Sequence, residues 1–199
     1  MKSEMDQARP LFVTEKGKQL FETYGRMGDE YLREHQAVVH LIAGRKLQER
    51  DETLVKATAD GPQKVQSGEY FKGKKVALFS VPGAFTPTCS AKHLPGFVEK
   101  ADELKAKGVD EIVGTAVNDA FVLQAWNKAN GSDQITMLAD GNGDFAQALG
   151  LTMDGSGFGL GKRGQRYSMI VDDGVVQELN VEAPGDFNVS SAEHMLGQL

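Results

Sequence analysis

An apolar run leads through a proline-rich loop to the only cysteine of the chain in Val76-Ala77-Leu78-Phe79-Ser80-Val81-Pro82-Gly83-Ala84-Phe85-Thr86-Pro87-Thr88-Cys89. Thr86 is a favourable N-cap, and Pro87 suits the first helical position because its missing N–H leaves no partner unsatisfied there. Cys89 then falls at the third helical position. The free backbone N–H groups and the positive dipole end of a first helical turn favour a thiolate. The stretch therefore predicts a strand, a tight loop and a helix that starts around a reactive sulfur.

Composition restricts the classes of protein to which the chain can belong. It has 199 residues, of which 40% are hydrophobic and 25% charged, as in an average globular protein. A net charge of −6 argues against a nucleic-acid surface, and no apolar stretch approaches the roughly 20 residues of a membrane span. The polar residues 1–6 resemble neither a signal nor a transit peptide. A single cysteine excludes an internal disulfide and fits a reducing compartment, so we expect a cytoplasmic location.

The first part of the chain, residues 1–41, differs in pattern from the rest. Apolar residues recur there at alternating steps of four and three, at Leu20, Tyr24, Met27, Tyr31, Val38 and Leu41, with Glu34 in one gap. This heptad-like spacing predicts a helical extension that packs on its own domain or on a partner subunit. A partly disordered extension is the alternative.

Residues 42–199 have the alternating pattern of an α/β domain. We predict strands at Thr53–Thr58, 75–80, 111–117 and 135–139, and helices at 88–107, 120–129, 145–149 and 190–199. Asp119 is positioned to cap the second of these helices, and a kink is expected in the first at Pro95-Gly96. The turn Asp172-Asp173-Gly174 predicts a hairpin of strands 167–171 and 175–181. This order predicts a mixed central sheet with helices on both faces.

Two glycine-rich segments match binding motifs only in part. Gly159–Gly164 fits G-x-G-x-x-G but precedes a strand, whereas a dinucleotide site follows one. Asp140–Asp144 begins like a calcium loop but lacks the required glycine and the terminal glutamate. The four histidines show no metal-ligand spacing with Cys89 apart from His93 at i+4. We therefore expect neither a metal nor a bound cofactor.

A lone cysteine is most often a small buried hydrophobe, but the surroundings of Cys89 favour a reactive thiol. Three of the six prolines lie between Pro82 and Pro95 and make the loop and helix rigid. Hydroxyl groups of Thr86 and Thr88 lie close in sequence. Neither feature helps to pack a core.

Pro82-x3-Thr86-x2-Cys89 matches the peroxiredoxin signature, and several longer strings carry the likeness further. The chain resembles the type II (type five) peroxiredoxins in Pro82–Ser90, His93–Gly96, Val117–Val122, Leu138–Gly141 and Arg166–Gly174. The resemblance covers roughly residues 42 to 199 and implies a thioredoxin-like fold.

The resemblance also implies particular roles for residues of this chain. Cys89 is expected to be the peroxidatic nucleophile that becomes a sulfenic acid, and Thr86 to hold the peroxide through its hydroxyl. Pro82 is expected to shield the site from water, and Arg166 to place its guanidinium beside the sulfur. A fixed cation there would favour the thiolate, and its planar fork of donors would stabilise charge on the leaving oxygen. The residues expected to line the substrate pocket are Gly83, Phe85 and Phe121.

Two further side chains compete for roles at the predicted site. Arg163 lies three residues before Arg166 and is expected to be a neighbour without a catalytic role. His93 could pair with Cys89 for acyl hydrolysis, but the sequence nominates neither an orienting acid nor an oxyanion hole. We expect His93 to have a structural or supporting role, and Trp126 to lie in the core or on a helix face.

The chain departs from many type II relatives because it has no second cysteine. An external thiol must therefore resolve the sulfenic acid, and we expect glutathione, alone or with a glutaredoxin, and in second place thioredoxin. The predicted function is a thiol-dependent peroxidase acting on hydrogen peroxide and small organic hydroperoxides. A peroxide sensor or redox relay that oxidises a partner protein is the alternative. By resemblance we also expect a homodimer.

Overall fold

The computed structural model describes residues 51–199 together with Gln19, Arg26, Lys46 and Leu47. The chain divides into two compact units, Met1–His40 and Leu41–Leu199, and the account below concerns the second. The heptad-like stripe predicted between Leu20 and Leu41 falls outside the described residues.

A seven-stranded mixed sheet forms the centre of the domain, as the sequence predicts. Its strands are β1 (Thr53–Thr58), β2 (Gly61–Gln66), β3 (Lys75–Ser80), β4 (Glu111–Ala116), β5 (Thr136–Ala139), β8 (Tyr167–Asp172) and β9 (Val175–Val181), and a separate two-stranded sheet holds β6 (Thr152–Asp154) and β7 (Lys162–Gly164). The large sheet has the order β2-β1-β5-β4-β3-β8-β9. Strands β3, β4 and β5 are parallel neighbours, whereas β8 runs antiparallel to both β3 and β9.

The described residues form six short α-helices, five of them between strands and the sixth after β9. None of these helices is long and apolar enough to cross a membrane. They are α1 (Ser67–Tyr70), α2 (Leu94–Glu99), α3 (Ala101–Ala106), α4 (Ala120–Ala129), α5 (Asp144–Leu149) and α6 (Ala192–Leu196), with a π-helical turn at Cys89–His93 and a 3-10 turn at Ser156–Phe158. Asp119 caps α4 as predicted, because its carboxylate accepts from the N–H of Val122 at 2.9 Å.

Strand β2 and the β6/β7 pair were not predicted from the sequence. The chain turns at residues 59–60, and β2 begins at Gly61, where φ is +110°. The strand is polar, largely exposed and lies at the edge of the sheet. Proline is tolerated on such an edge because no ladder partner needs its N–H. An exposed edge strand lacks the apolar alternation by which strands are recognised.

The predicted kink at Pro95-Gly96 is wrong in position, because the helix is irregular about one turn earlier in the sequence. Both residues lie inside the regular helix α2, and the irregular part is the π turn before it, closed by the N–H of Leu94 and the carbonyl of Cys89. Proline has no N–H for the carbonyl four residues before it, and its ring crowds that carbonyl. The wider turn upstream of Pro95 relieves this conflict. Such π turns recur at functional sites.

The main core lies between the sheet and the helices that follow β3 and β4. Phe79 and Phe97 stack there with ring centroids 4.4 Å apart, and Cys89 and Trp126 belong to the same buried cluster. His93 is buried among them, its ring 5.1 Å from that of Phe79. Burial, assisted by the charge of Arg166, lowers the pKa of His93 to about 3 against the opposing hydrogen bond to the Ser190 carbonyl. The ring is therefore neutral in the folded protein at any ordinary pH.

Replacing His93 with glutamine is expected to reduce the loss in the free energy of unfolding that the protein undergoes as the pH falls below 7. The unfolded chain protonates this imidazole near its ordinary pKa of 6.5, whereas the folded protein keeps it neutral down to about pH 3. The unfolded state thus binds the additional proton below pH 6.5, and stability falls as the pH is lowered. The linkage amounts to about 2 kcal/mol between pH 7 and pH 5 for this one group. Urea unfolding at the two pH values measures the loss.

The exposed His194 provides the matched control. His194→Gln is expected to keep the full loss of stability between the two pH values. If His93→Gln lost as much stability as the parent protein, the buried ring would not be held neutral.

Candidate active site

Strand register brings the predicted site residues to one edge of the sheet. Ser80, the last residue of β3, pairs with Tyr167, the first residue of β8. The loop that leaves β3 and the residue that enters β8 therefore lie side by side. This explains how Arg166 reaches Cys89 although 77 positions separate them in sequence.

Cys89 lies in the first turn of the helix that starts at Pro87, as predicted. The N–H of Ser90 donates to the carbonyl of Thr86 at 3.0 Å and closes that turn. The sulfur is buried, and Nη2 of Arg166 donates to it at 3.4 Å. A guanidinium remains charged at any working pH, so this contact favours a thiolate over a thiol.

The second arm of the Arg166 guanidinium contacts His93. Its Nη1 lies 3.1 Å from Nδ1 of the imidazole, and Nε2 on the opposite side lies 3.1 Å from the carbonyl oxygen of Ser190. A carbonyl only accepts, so Nε2 carries the hydrogen and Nδ1 accepts from Arg166. The neutral imidazole is thus fixed in one tautomer and holds the guanidinium in place.

An aromatic ring covers the same pair. The ring of Phe187 lies with its centroid 5.0 Å from that of His93 and 5.8 Å from the guanidinium carbon of Arg166. A cation over an aromatic face is stabilised by the ring quadrupole, and the ring keeps water away from it. Exclusion of water strengthens the attraction between guanidinium and sulfur.

The loop before the helix is closed by its own hydrogen bonds. The hydroxyl of Thr86 donates to the carbonyl of Gly83 at 2.8 Å, and the N–H of Ala84 donates to Oδ1 of Asn118 at 3.0 Å. Phe85 adopts a φ of +61°, which a residue with a side chain rarely does. Since the Thr86 hydrogen is already donated, its oxygen can only accept from a molecule that enters the site.

The other residues predicted to line the pocket differ in exposure. Gly83 is buried, and a Cβ at this position would lie 3.3 Å from Cγ2 of Thr86, so the loop has little room for a side chain. Pro82 is half-buried. Phe85 and Phe121 are on the surface, with 57% and 67% of their areas exposed. Their part in binding substrate stays a prediction.

The structure separates the two neighbouring arginines. Arg163 donates from Nη1 to the carbonyl of Val117 at 2.7 Å and from Nε to that of Leu160 at 2.8 Å. The bond to Val117 ties β7 to the loop after β4, and the bond to Leu160 closes the turn just before β7. Arg163 therefore holds backbone segments together. Of the two arginines, Arg166 is the one whose guanidinium contacts Cys89.

Trp126 is buried, as predicted, and it also contacts the site. Its indole N–H donates to the hydroxyl of Ser90 at 2.9 Å. Helix α4 thereby holds the residue next to the cysteine in the π turn.

Sequence reasoning missed Asn118 and the residues that surround His93 from the far end of the chain. Asn118 could have been found, because it follows β4, and the carboxyl ends of parallel neighbours β3 and β4 meet at one edge. Ser190 acts through its backbone carbonyl, for which a sequence carries no signal.

The arrangement can stabilise a thiolate and offer donors to an approaching oxygen, but it does not suit Cys–His acyl hydrolysis. Nδ1 of His93 is occupied by Arg166, and Nε2 already carries a hydrogen, so the ring is not placed to accept a proton from Cys89.

Within residues 51–199 and the four earlier described positions, no three His, Cys, Asp or Glu side chains cluster in a way that could hold a metal.

Comparisons with known proteins show to which family the chain belongs. The Redoxin family model matches residues 43–196. The chain is 54% identical to the chloroplastic peroxiredoxin-2E-2 of Oryza sativa subsp. japonica over 146 residues, 71% of this chain and 65% of the rice protein. Reduced Prx3 of Vibrio vulnificus, solved in complex with H2O2, is 54% identical with a TM-score of 0.75 over 78% of this chain and 97% of that one. A 1-Cys peroxiredoxin of Plasmodium falciparum is 26% identical with a TM-score of 0.71 over 77% and 95% of the two chains.

The chain spans 65% of the rice relative's length and 97% of the Vibrio structure. The family match includes Cys89 and Arg166, together with the sheet edge that unites them. The thioredoxin-like arrangement predicted from the sequence is confirmed by the mixed sheet and by these structures. The chain therefore belongs to the redoxin family and, within it, to the peroxiredoxins.

Proposed function

We propose that the protein is a thiol-dependent peroxidase that reduces hydrogen peroxide and small organic hydroperoxides through a sulfenic acid on Cys89. The hydrogen bond from Nη2 of Arg166 to Sγ of Cys89 carries the proposal, because it places a permanent cation on the one thiol of a peroxiredoxin chain. The H2O2 bound in the Vibrio Prx3 structure supports the substrate class.

In the oxidative step, the thiolate of Cys89 attacks one oxygen of the peroxide. An S–O bond forms as the O–O bond breaks, sulfur loses two electrons, and the other oxygen leaves as hydroxide or alkoxide and takes a proton from water. The Arg166 donors are close enough to stabilise the charge that develops on oxygen. The oxygen of Thr86 accepts the hydrogen bond of the peroxide O–H, which orients the substrate.

The reductive half of the cycle needs thiols from outside the chain, since Cys89 is its only cysteine. One thiol attacks the sulfenic sulfur, releases water and leaves a mixed disulfide. A second thiol attacks that disulfide, restores Cys89 and leaves the oxidised reductant. We propose glutathione, alone or with a glutaredoxin, and thioredoxin as the second candidate. Glutathione is abundant in reducing compartments such as the expected cytoplasm. The 1-Cys Plasmodium relative supports this one-cysteine cycle.

The reductant must also reach a buried sulfur. Cys89 has no exposed surface, and a tripeptide thiol is much larger than hydrogen peroxide. We infer that the turn holding Cys89 opens after oxidation. The hydrogen bond from Trp126 to Ser90 is one of the contacts that must break for this to happen.

The expected homodimer is also part of the proposal. Phe85, Phe121 and Phe158 leave 57%, 67% and 86% of their surfaces exposed. These three rings are the large hydrophobic side chains that the described part of the chain exposes most, and they support self-association as surfaces that a partner subunit could cover.

Mass spectrometry after one equivalent of hydrogen peroxide should reveal a chain heavier by one oxygen atom. Added glutathione should convert that species to a chain carrying one glutathione, and excess glutathione should restore the starting mass. Cys89→Ser should show none of these species and no turnover of peroxide.

Normal turnover by Cys89→Ser would exclude the proposed function. An oxidised species that resists glutathione and glutaredoxin but reacts with thioredoxin would exclude glutathione as the reductant. The proposed peroxidase function would then still stand. An oxidised species that reacts only with a protein target would favour the redox relay.

Arg166→Gln is expected to slow the oxidation of Cys89 by about a hundredfold, the scale found for one donor that stabilises an oxyanion. The loss of the cation should also lower the fraction of thiolate at neutral pH. Stopped-flow oxidation by hydrogen peroxide and the ultraviolet absorbance of the thiolate measure the two effects. Arg163→Gln is the matched control, and it should keep the thiolate titration of the parent protein. A titration unchanged in Arg166→Gln would contradict the proposed contact.

Ser90→Ala is expected to speed the reaction with glutathione while leaving the peroxide step unchanged. Removing the hydroxyl deletes the Trp126 contact of the turn, and one net hydrogen bond corresponds to about fivefold in the opening equilibrium. The fluorescence of Trp126, the single tryptophan, should report the opening directly. Ser156→Ala, at an exposed position, is the control. A glutathione step as slow as in the parent would show that this contact does not restrain opening.

A further inference from the structure

A buried carboxylate at the end of strand β9 is not used in the chemistry derived above. Glu182 follows Val181 directly and is only 6% exposed. Its backbone N–H donates to the carbonyl of Arg166 at 3.0 Å, which extends the pairing of β9 with the start of β8. The carboxylate therefore lies at the same sheet edge as Cys89 and Arg166.

One oxygen of this carboxylate collects three hydrogen bonds from the loop that follows. Oε1 of Glu182 accepts from the N–H of Asn188 at 2.7 Å, from the N–H of Ser190 at 2.7 Å and from the hydroxyl of Ser190 at 2.8 Å. Hydrogen bonds to a charged group stabilise more than neutral ones, and their strength grows in a buried setting. The loop of residues 182–190 is therefore fastened across its base by its own first side chain.

The inner side of this loop meets the Arg166–His93 pair. The carbonyl of Ser190 accepts from Nε2 of His93 at 3.1 Å, and the ring of Phe187 lies over both partners. The outer side, at residues 184–186, is exposed to solvent. Ser190 and Phe187 of the loop thus both contact the pair that holds the sulfur.

We propose that Glu182 is a positioning residue for the peroxidatic thiol, because it fastens the 182–190 loop whose Ser190 carbonyl and Phe187 ring fix His93 and the guanidinium of Arg166. Four successive contacts connect the carboxylate of Glu182 with the sulfur, through Ser190, His93 and Arg166 in that order. The proposal rests on the proposed function for its effect on peroxide reduction, but its effect on thiol ionisation and on the imidazole does not require turnover.

The carbonyl of Ser190 determines the state of the imidazole. With the carbonyl in place, Nε2 keeps its hydrogen and Nδ1 faces Arg166 as an acceptor. If the loop moved away, the ring could turn or change tautomer, and an N–H at Nδ1 would point at the guanidinium donors. Arg166 would then lose the partner that directs Nη2 at the sulfur.

Replacement of Glu182 by methionine tests the proposal, since methionine keeps the length of the side chain and lacks an acceptor of comparable strength. Loss of the fastening should shift the thiolate titration to higher pH, because the guanidinium of Arg166 would no longer be held at the sulfur. Oxidation of Cys89 by hydrogen peroxide at neutral pH should slow about tenfold, the scale of one lost hydrogen bond to a charged group. The 15N resonances of the His93 ring should lose the pattern of a fixed Nε2–H tautomer.

Two matched variants separate positioning from general effects on the fold. Glu182→Gln retains an acceptor for the loop, so it should restore most of the titration and of the tautomer signal. Glu178→Met changes an exposed carboxylate on the same strand and should behave as the parent protein. A folded Glu182→Met protein with an unchanged thiolate titration and an unchanged His93 tautomer would overturn the proposal.

A milder pair of variants covers the case in which Glu182→Met does not fold. Ser190→Ala removes one of the three donors and keeps the carbonyl, and Phe187→Leu removes the ring over the pair. Each should shift the titration in the same direction by a smaller amount, and titrations equal to that of the parent in both would overturn the proposal. If the parent protein failed to reduce peroxide, the proposed function would fail, whereas the titration and the tautomer would still decide the role of Glu182.

Discussion

The chemistry of this domain depends on the contact of one cation with one sulfur, from Nη2 of Arg166 to Sγ of Cys89 at 3.4 Å. Cys89 belongs to the buried core cluster, where a charged group is unfavourable without a partner. The guanidinium of Arg166 is that partner, because it keeps its positive charge at any working pH. His93 is useful to this contact because it is neutral. A charged imidazole beside Arg166 would repel it, and burial prevents that charge.

The sheet makes the contact possible, and its register decides where the groups meet. Pairing of Ser80 with Tyr167 brings the end of β3 to the start of β8, and the backbone bond from Glu182 to Arg166 adds the end of β9. Residues from three distant parts of the chain thus converge at one edge of the sheet. The π turn before Pro95 has a similar origin, since a proline placed for the helix changes the turn that carries Cys89.

Much of this arrangement could be predicted, and the remainder has identifiable physical reasons. Apolar runs at β3, β4, β8 and β9 were recognisable, and so was the helix start at Pro87, because burial and capping leave clear residue patterns. The exposed edge strand β2 and the short β6/β7 pair lacked such patterns. Arg166 was identified through resemblance, whereas the support of His93 by the Ser190 carbonyl could not be, because backbone groups are the same at every position.

The most direct measurement compares two pH profiles of the reduced protein, the rate of single-turnover oxidation by hydrogen peroxide and the ultraviolet absorbance of the thiolate. If the thiolate beside Arg166 is the reacting species, the two curves superimpose, and both signals vanish in a chain without the Cys89 sulfur. A full rate at a pH where the absorbance shows Cys89 protonated would contradict the account.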